Sequence, residues 1–123
     1  MTKVPSRGIA ILATVLGIVM VGGGLSKLMG ESHQVAQFAL VGLPRWFLAL
    51  VGTFEIVGGM LLLVPATTPV GSLVLSTIMV GALWTHAAQR EWVDLVPVMV
   101  LLTLFLLIFR RNRSRAVQLL GGA

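Results

Sequence analysis

Cysteine is absent from this sequence, and charged residues are scarce. Without cysteine the chain forms no disulfide, binds no metal through a thiolate and has no cysteine nucleophile. Any redox chemistry would therefore need a cofactor that the chain binds or that a partner protein holds. A nucleophile elbow, an H-E-x-x-H motif and a P-loop are also missing, so nothing in the sequence supports hydrolysis or ATP coupling.

The shortage of charge indicates the class of protein. Only 11% of the 123 residues are charged, 57% are hydrophobic, and the mean hydropathy is +1.00. Soluble domains average roughly 25% charged residues. The composition therefore predicts an integral membrane protein.

Four apolar segments are long enough to cross a bilayer as helices. The predicted spans are 8–26, 46–64, 69–87 and 93–109, followed by a basic C-terminal tail at 110–123. We therefore predict one domain of all-α fold, a bundle of four transmembrane helices with both termini on the same side. The first span could also be a signal peptide, but it is long for one and has no A-x-A-like site before Lys27.

Basic residues and tryptophans predict the orientation of the bundle. Six of the nine lysines and arginines lie on the side of the termini: Lys3, Arg7, Arg110, Arg111, Arg113 and Arg115. Because positive charge favours the cytoplasmic side, both termini should be cytoplasmic, with the tryptophans at the opposite interface: Trp46, Trp84 and Trp92. We expect a multi-pass protein of the bacterial inner membrane type, whose basic tail contacts anionic lipid and not nucleic acid.

Glu55 is the main candidate functional residue because it lies near the middle of the second span. A carboxyl at that depth needs a partner, and such groups often mark ligand or ion pathways. Gly52 and Gly59 share its helix face and would either admit a neighbouring helix or leave room for a ligand. Hydroxyl groups predicted at a similar depth are its expected partners: Ser76, Thr77 and Thr103. A purely structural Glu55 is the alternative.

Lys27 and His86 are candidates near the interface that carries the tryptophans. Lys27 is expected either to anchor its helix or to bind the anionic head of a ligand. His86 either relays protons to a quinone-like carbonyl or is solvated at the interface. Since His33 is the only other histidine, we predict no metal site, and a haem with one axial histidine is a weaker alternative.

The longest connector joins the first two spans, from Met29 to Pro44. It contains Val35, Phe38 and Leu40, which would lie on the membrane surface if the connector forms an amphipathic helix. A plain loop is the alternative.

Several short motifs occur in a characteristic order. They are Gly24-Leu25-Ser26-Lys27-Leu28, Phe38 with Gly42-Leu43-Pro44, then Gly52, Glu55, Gly58-Gly59 and Leu62-Leu63, and finally Met79, Ala82 and His86. Together they resemble the DoxX-like family of small four-helix membrane proteins, over about half of the chain by motif and nearly all of it by span layout. Some members are linked to quinone reduction, as in thiosulfate:quinone oxidoreductase, and others to membrane complexes that handle oxidative stress.

We favour a redox-associated subunit that binds a quinone or similar lipophilic ligand, as an accessory subunit of a quinone-linked oxidoreductase; whether the chain is itself an enzyme is left open. Glu55 and His86 would transfer protons, and the predicted ligand-binding residues are Lys27, Gly52, Glu55, Gly59, Thr77 and His86. The alternatives are a small proton-coupled transporter and a non-catalytic structural subunit of a membrane complex. The cofactor, any membrane or soluble oxidoreductase partner, and the oligomeric state are left open.

Overall fold

The part of the chain that the structure describes forms five α-helices, four of which are long and apolar. The computed structural model describes residues 7–121, with side chains as far as Asn112. The helices are α1 (Arg7–Leu28), α2 (Ser32–Leu40), α3 (Arg45–Leu63), α4 (Thr68–Ala88) and α5 (Trp92–Gly121), with a 3₁₀ turn at Pro65–Thr67. All except α2 are long and apolar enough to cross a membrane. The all-α fold and the four apolar helices are therefore confirmed.

The four long helices pack in chain order. α1 lies against α3, α3 against α4, and α4 against α5. Side chains from all four meet in one apolar core, which consists of Ile9, Ala13, Leu16, Met20, Leu62, Leu75, Met79, Val98, Phe105 and Ile108. Many other large apolar side chains are exposed, among them Ile18 and Phe54. An apolar surface around an apolar core is the distribution expected of a bundle surrounded by lipid.

The two ends of the bundle differ in their aromatic residues. Trp46, Trp84 and Trp92 are all exposed and stand at the first or last turn of their helices, so we call this end the tryptophan end. The opposite end, where α1 begins, is the terminal end. Indoles at helix ends are typical of a membrane interface. Lys3, Arg113 and Arg115, on which the predicted orientation partly depends, lie outside the described side chains.

α2 is the helix that the connector between the first two spans forms. Its N-cap is Glu31, whose carboxylate oxygens accept hydrogen bonds from the backbone N–H groups of His33 (3.0 Å) and Gln34 (3.2 Å). The Gln34 amide donates a hydrogen bond to the Ser26 hydroxyl at the end of α1. Phe38 contacts Phe47 of α3, with ring centroids 6.3 Å apart. α2 is thus attached to both helices that it connects.

The cap predicts a pH-dependent stability of α2. The backbone N–H donors at His33 lower the pKa of Glu31 below its ordinary value of 4.5. Its contribution is complete above pH 4.5 and is lost as the pH falls through the lowered pKa of the folded state. We expect a ¹³C NMR titration of the Glu31 carboxyl to have its midpoint below 4.5. In Glu31→Gln the acid-dependent exchange of the Gln34 amide proton should disappear; an unshifted midpoint would contradict the cap.

Three helices end in the same hydrogen-bonded motif. After α1, α2 and α4 the chain turns through a residue with positive φ, namely Gly30 (69°), Gly42 (78°) and Arg90 (57°). After α4, for example, the Arg90 N–H donates to Ala87 O and the Glu91 N–H donates to His86 O. This is the Schellman arrangement, in which glycine is the preferred residue at the left-handed position.

Arg90 is an unfavourable residue for its backbone conformation. A side chain at positive φ costs roughly 1 kcal/mol, so we expect Arg90→Gly to raise the free energy of unfolding by about 0.5–1 kcal/mol. Arg90→Ala removes the same charge but keeps a Cβ, and it should give no such increase. Thermal unfolding of the detergent-solubilised variants measures both effects; equal stability of the two variants would contradict the prediction.

Candidate functional site

An ion pair between α1 and α3 is the most unusual polar feature of the membrane-spanning region. Lys27 Nζ lies 2.8 Å from Glu55 Oε2 and 3.2 Å from Oε1, and it donates a hydrogen bond to Oε1. Glu55 is 4% exposed, and the Lys27 side chain is 15% exposed. Oε2 is in contact with the ammonium but accepts no hydrogen bond from the described residues. The pair is therefore almost fully removed from solvent.

Glycines let α1 and α3 approach closely enough for this contact. The two helices run antiparallel, with Gly17 against Gly59 and Gly24 against Gly52. A Cβ at Gly59 would lie 2.7 Å from the Gly17 carbonyl oxygen, and one at Gly52 would lie 2.8 Å from both the Gly24 carbonyl oxygen and the Lys27 Cβ. The aliphatic part of Lys27 therefore crosses α3 directly over Gly52.

The direction of the side chains explains how Lys27 reaches Glu55. In the register set by the glycines, the Cα atoms of Lys27 and Glu55 are about 9 Å apart along the helix axes, at 1.5 Å per residue. Helical Cα–Cβ bonds tilt toward the N-terminus of their own helix. Because α1 and α3 are antiparallel, this tilt directs Lys27 into the membrane and Glu55 toward the tryptophan end. The two side chains converge.

The prediction that nearby hydroxyl groups are the partners of Glu55 is wrong. Ser76, Thr77 and Thr103 each donate a hydrogen bond to a carbonyl oxygen of their own helix, at Ser72, Leu73 and Met99 respectively. Thr77 and Thr103 are also exposed on the outside of the bundle. Equal depth in the membrane was the basis of that prediction, and depth alone does not determine which face of a helix a side chain occupies.

The glycine face beside Glu55 is occupied by α1. The sequence left open whether Gly52 and Gly59 admit a helix or leave room for a ligand, and the structure places the α1 backbone against both. Access to the ion pair is therefore on the side of Lys27, whose side chain retains some exposure. There Ser26 and Gln34 supply further polar groups, joined by their hydrogen bond.

His86 has a different partner from Glu55. Its Nδ1 lies 3.0 Å from Glu91 Oε1, across the turn between α4 and α5. Ligand atoms of His86, Glu91 and Asp94 lie within 4.8 Å of one another. From the sequence, His86 was predicted to be functional without these two carboxylates.

A small cavity lies at the terminal end, away from both polar groups. It has a volume of about 60 Å³ and is lined by Ile9, Ala10, Ala13, Thr14, Leu62, Leu63, Pro65, Thr68 and Asn112. None of the candidate residues lines it. Thr68 and Asn112 are buried there, and each donates a hydrogen bond to a backbone carbonyl oxygen of a preceding residue.

The fold and the ion pair define a class of protein: a small helical membrane protein with a buried Lys–Glu pair between two of its long helices. Within this class the chain belongs to the DoxX-like family, which it matches over residues 11–109. This confirms the resemblance inferred from the short motifs.

One relative of known name carries a redox description. The chain is 27% identical over 85 residues to a Bacillus subtilis (strain 168) protein named "Putative oxidoreductase CatD". The match covers 69% of this chain and 63% of the relative, so it spans less than two thirds of that protein's length. No solved structure matches the chain.

Proposed function

We propose that this protein is a redox-associated membrane subunit that binds a quinone or a similar lipophilic ligand at the Lys27–Glu55 pair. The buried ion pair is the observation that carries the proposal, because charged groups at such depth are costly and commonly serve a ligand or proton pathway. The name of the relative supports a redox role. Membership of the DoxX-like family supports the same role, since the family includes proteins linked to quinone reduction.

The pair has the groups that a quinone needs. An ammonium group has three N–H donors, and Glu55 lies on one side of Lys27, so a donor is available to a quinone carbonyl oxygen. Glu55 Oε2 has no hydrogen bond from the described residues and is suited to accept one from a hydroquinone hydroxyl. Reduction of a quinone to a hydroquinone takes two electrons and two protons. In this proposal a partner oxidoreductase supplies both electrons, and Glu55 passes on the two protons one after the other, taking up each from water on the side of Lys27.

The surroundings of the ion pair define a route by which a ligand would reach it. The ligand would approach past Lys27, Ser26 and Gln34, beneath α2, with its lipophilic tail between the apolar helix surfaces. The tryptophan end would face the non-cytoplasmic side of a bacterial inner membrane, with both termini in the cytoplasm. A proton-transfer role for His86 and a ligand contact for Thr77 stay predictions from the sequence.

Native mass spectrometry with solvent extraction tests the proposal. We expect a quinone to co-purify with the wild-type protein in mild detergent and to fall at least tenfold in Glu55→Gln and Lys27→Met. Glu55→Gln keeps the size of the side chain and a hydrogen-bond acceptor for Lys27. Thr53→Ala, on the exposed face of the same helix, is the matched control and should retain the ligand. Equal ligand in all forms, or none in the wild type, would refute the proposal.

A proton-coupled transporter is the second candidate, because an ion pair that opens on protonation of its carboxylate is one way to couple a proton to a substrate. It predicts that Glu55→Gln changes the sensitivity of cells to toxic lipophilic compounds, whereas the redox proposal predicts altered quinone reduction by isolated membranes without that change.

A further inference from the structure

A cluster of nitrogen and oxygen donors joins α4 to α5 at the tryptophan end. His86 belongs to the last turn of α4, Glu91 follows the turn, and Asp94 lies in the first turn of α5. One ligand atom from each of the three lies within 4.8 Å of the other two. The cluster is separate from the Lys27–Glu55 pair, which is where the proposed function places its ligand.

The backbone of the turn brings these residues together. The Glu91 N–H donates to His86 O across the left-handed Arg90, and the Asp94 N–H donates to Glu91 O. These hydrogen bonds hold Glu91 and Asp94, five and eight residues after His86, on the same side of the turn as the histidine. The pattern H-x₄-E-x₂-D is therefore the local signal for the cluster.

The distances suit a cation. Two ligands at right angles on an ion with bonds of about 2.1 Å are about 3.0 Å apart, and opposite ligands are about 4.2 Å apart. Nδ1 of His86 and Oε1 of Glu91 are 3.0 Å apart. The ligand atoms of the three residues lie up to 4.8 Å apart, slightly more than the distance of about 4.2 Å between opposite ligands. Asp94 is exposed, and its side chain has no partner among the described residues, so a small movement of this side chain can close the difference.

Charge and donor type indicate which cation. Two carboxylates and one imidazole give a site of charge −2 when the histidine is neutral, and Arg90 forms no ion pair with either carboxylate in the described part of the chain. An imidazole nitrogen favours first-row transition metals over Mg²⁺ and Ca²⁺, and the absence of thiolates disfavours Cu⁺. Three protein ligands would leave further positions for water or an external ligand.

We propose that His86, Glu91 and Asp94 form a binding site for a divalent first-row transition-metal cation such as Zn²⁺ or Mn²⁺. The ion would link the end of α4 to the start of α5. A metal at this place is independent of the quinone proposal, and its test does not use quinone binding or activity.

The experiment titrates metal-stripped protein in detergent with Zn²⁺ by isothermal calorimetry and with Co²⁺ by visible absorption. We expect about one ion per chain, a Co²⁺ spectrum without a thiolate charge-transfer band, and a rise in the thermal midpoint on addition of Zn²⁺. His86→Ala and Asp94→Asn should each weaken the affinity at least tenfold.

His33→Ala is the matched control, because His33 is the other histidine of the chain, is exposed and has Glu31 two residues away. It should bind Zn²⁺ like the wild type. Asp94→Asn distinguishes loss of metal binding from a folding defect, because asparagine keeps the shape of the side chain. Without metal, the thermal midpoint of this variant should match that of the wild type. Absence of binding in the wild type, unchanged affinity in His86→Ala, or an equal loss in His33→Ala would each overturn the proposal.

Discussion

Replacing Glu55 by alanine is expected to lower the free energy of unfolding by about 3–5 kcal/mol. The substitution leaves the Lys27 ammonium in a mostly buried position without its counter-charge. Lys27→Ala should have an effect of similar size, because it leaves a carboxylate that is 4% exposed. Equilibrium unfolding in mixed micelles, followed by circular dichroism, measures the difference from the wild type.

The double variant Lys27→Met with Glu55→Leu separates the ion pair from the volume that it fills. Replacing both charges by apolar groups removes the desolvation cost together with the attraction, so its stability should approach that of the wild type. Such a stable variant would serve in the ligand assay, because loss of quinone from it reports on binding and not on folding. If the single variants were as stable as the wild type, the pair would be solvated in the membrane protein and not buried.

Adding one methyl group at the crossing of α1 and α3 should also destabilise the protein, by a smaller amount. In Gly59→Ala the new Cβ would meet the Gly17 carbonyl oxygen at 2.7 Å and Val21 atoms at 3.0 and 3.1 Å. Backbone atoms do not move aside as flexible side chains do, so the helices must separate. We expect a loss of about 1–3 kcal/mol in the free energy of unfolding, measured in the same mixed micelles.

Gly22→Ala is the control for that crossing, since a Cβ there would meet nothing within 4 Å. It should be neutral or slightly stabilising, because alanine favours helix over glycine by up to about 1 kcal/mol. Gly59→Ala should also weaken the Lys27–Glu55 contact, and therefore quinone binding, without altering either charged residue. Equal stabilities of the two alanine variants would show that the helices do not cross where the structure places them.

The sequence predicted the membrane-spanning fold well because hydrophobic length and charge placement are local properties. Glu55 was identified for the same reason, as an isolated carboxyl in an apolar segment. Its partner was not identified, because Lys27 was expected to extend toward the interface or to meet a ligand. The direction of helical Cα–Cβ bonds, together with the glycine spacing on both helices, would have indicated the contact.

The partners of His86 depend on a turn that is difficult to predict from the sequence. A left-handed residue after a helix is usually glycine, as at Gly30 and Gly42, but here it is Arg90. The hydrogen bond from Glu91 to His86 O therefore had no glycine to mark it. Likewise, the α1–α3 register that fills the face of Gly52 is a long-range property, which no single segment of the chain contains.

The position of the two charges also bears on how the protein enters the membrane. Lys27 is one residue from the end of α1, so after insertion its ammonium can remain at the interface while the rest of the chain is being made. Glu55 lies in the middle of α3, so its side chain cannot reach the interface. An acidic residue at that position raises the free energy of inserting a lone helix by about 2.5–3.5 kcal/mol. We expect α3 to leave the translocon efficiently only when α1 is already beside it. In this protein, then, the order of synthesis places Lys27 in the membrane before Glu55, the residue with which it pairs.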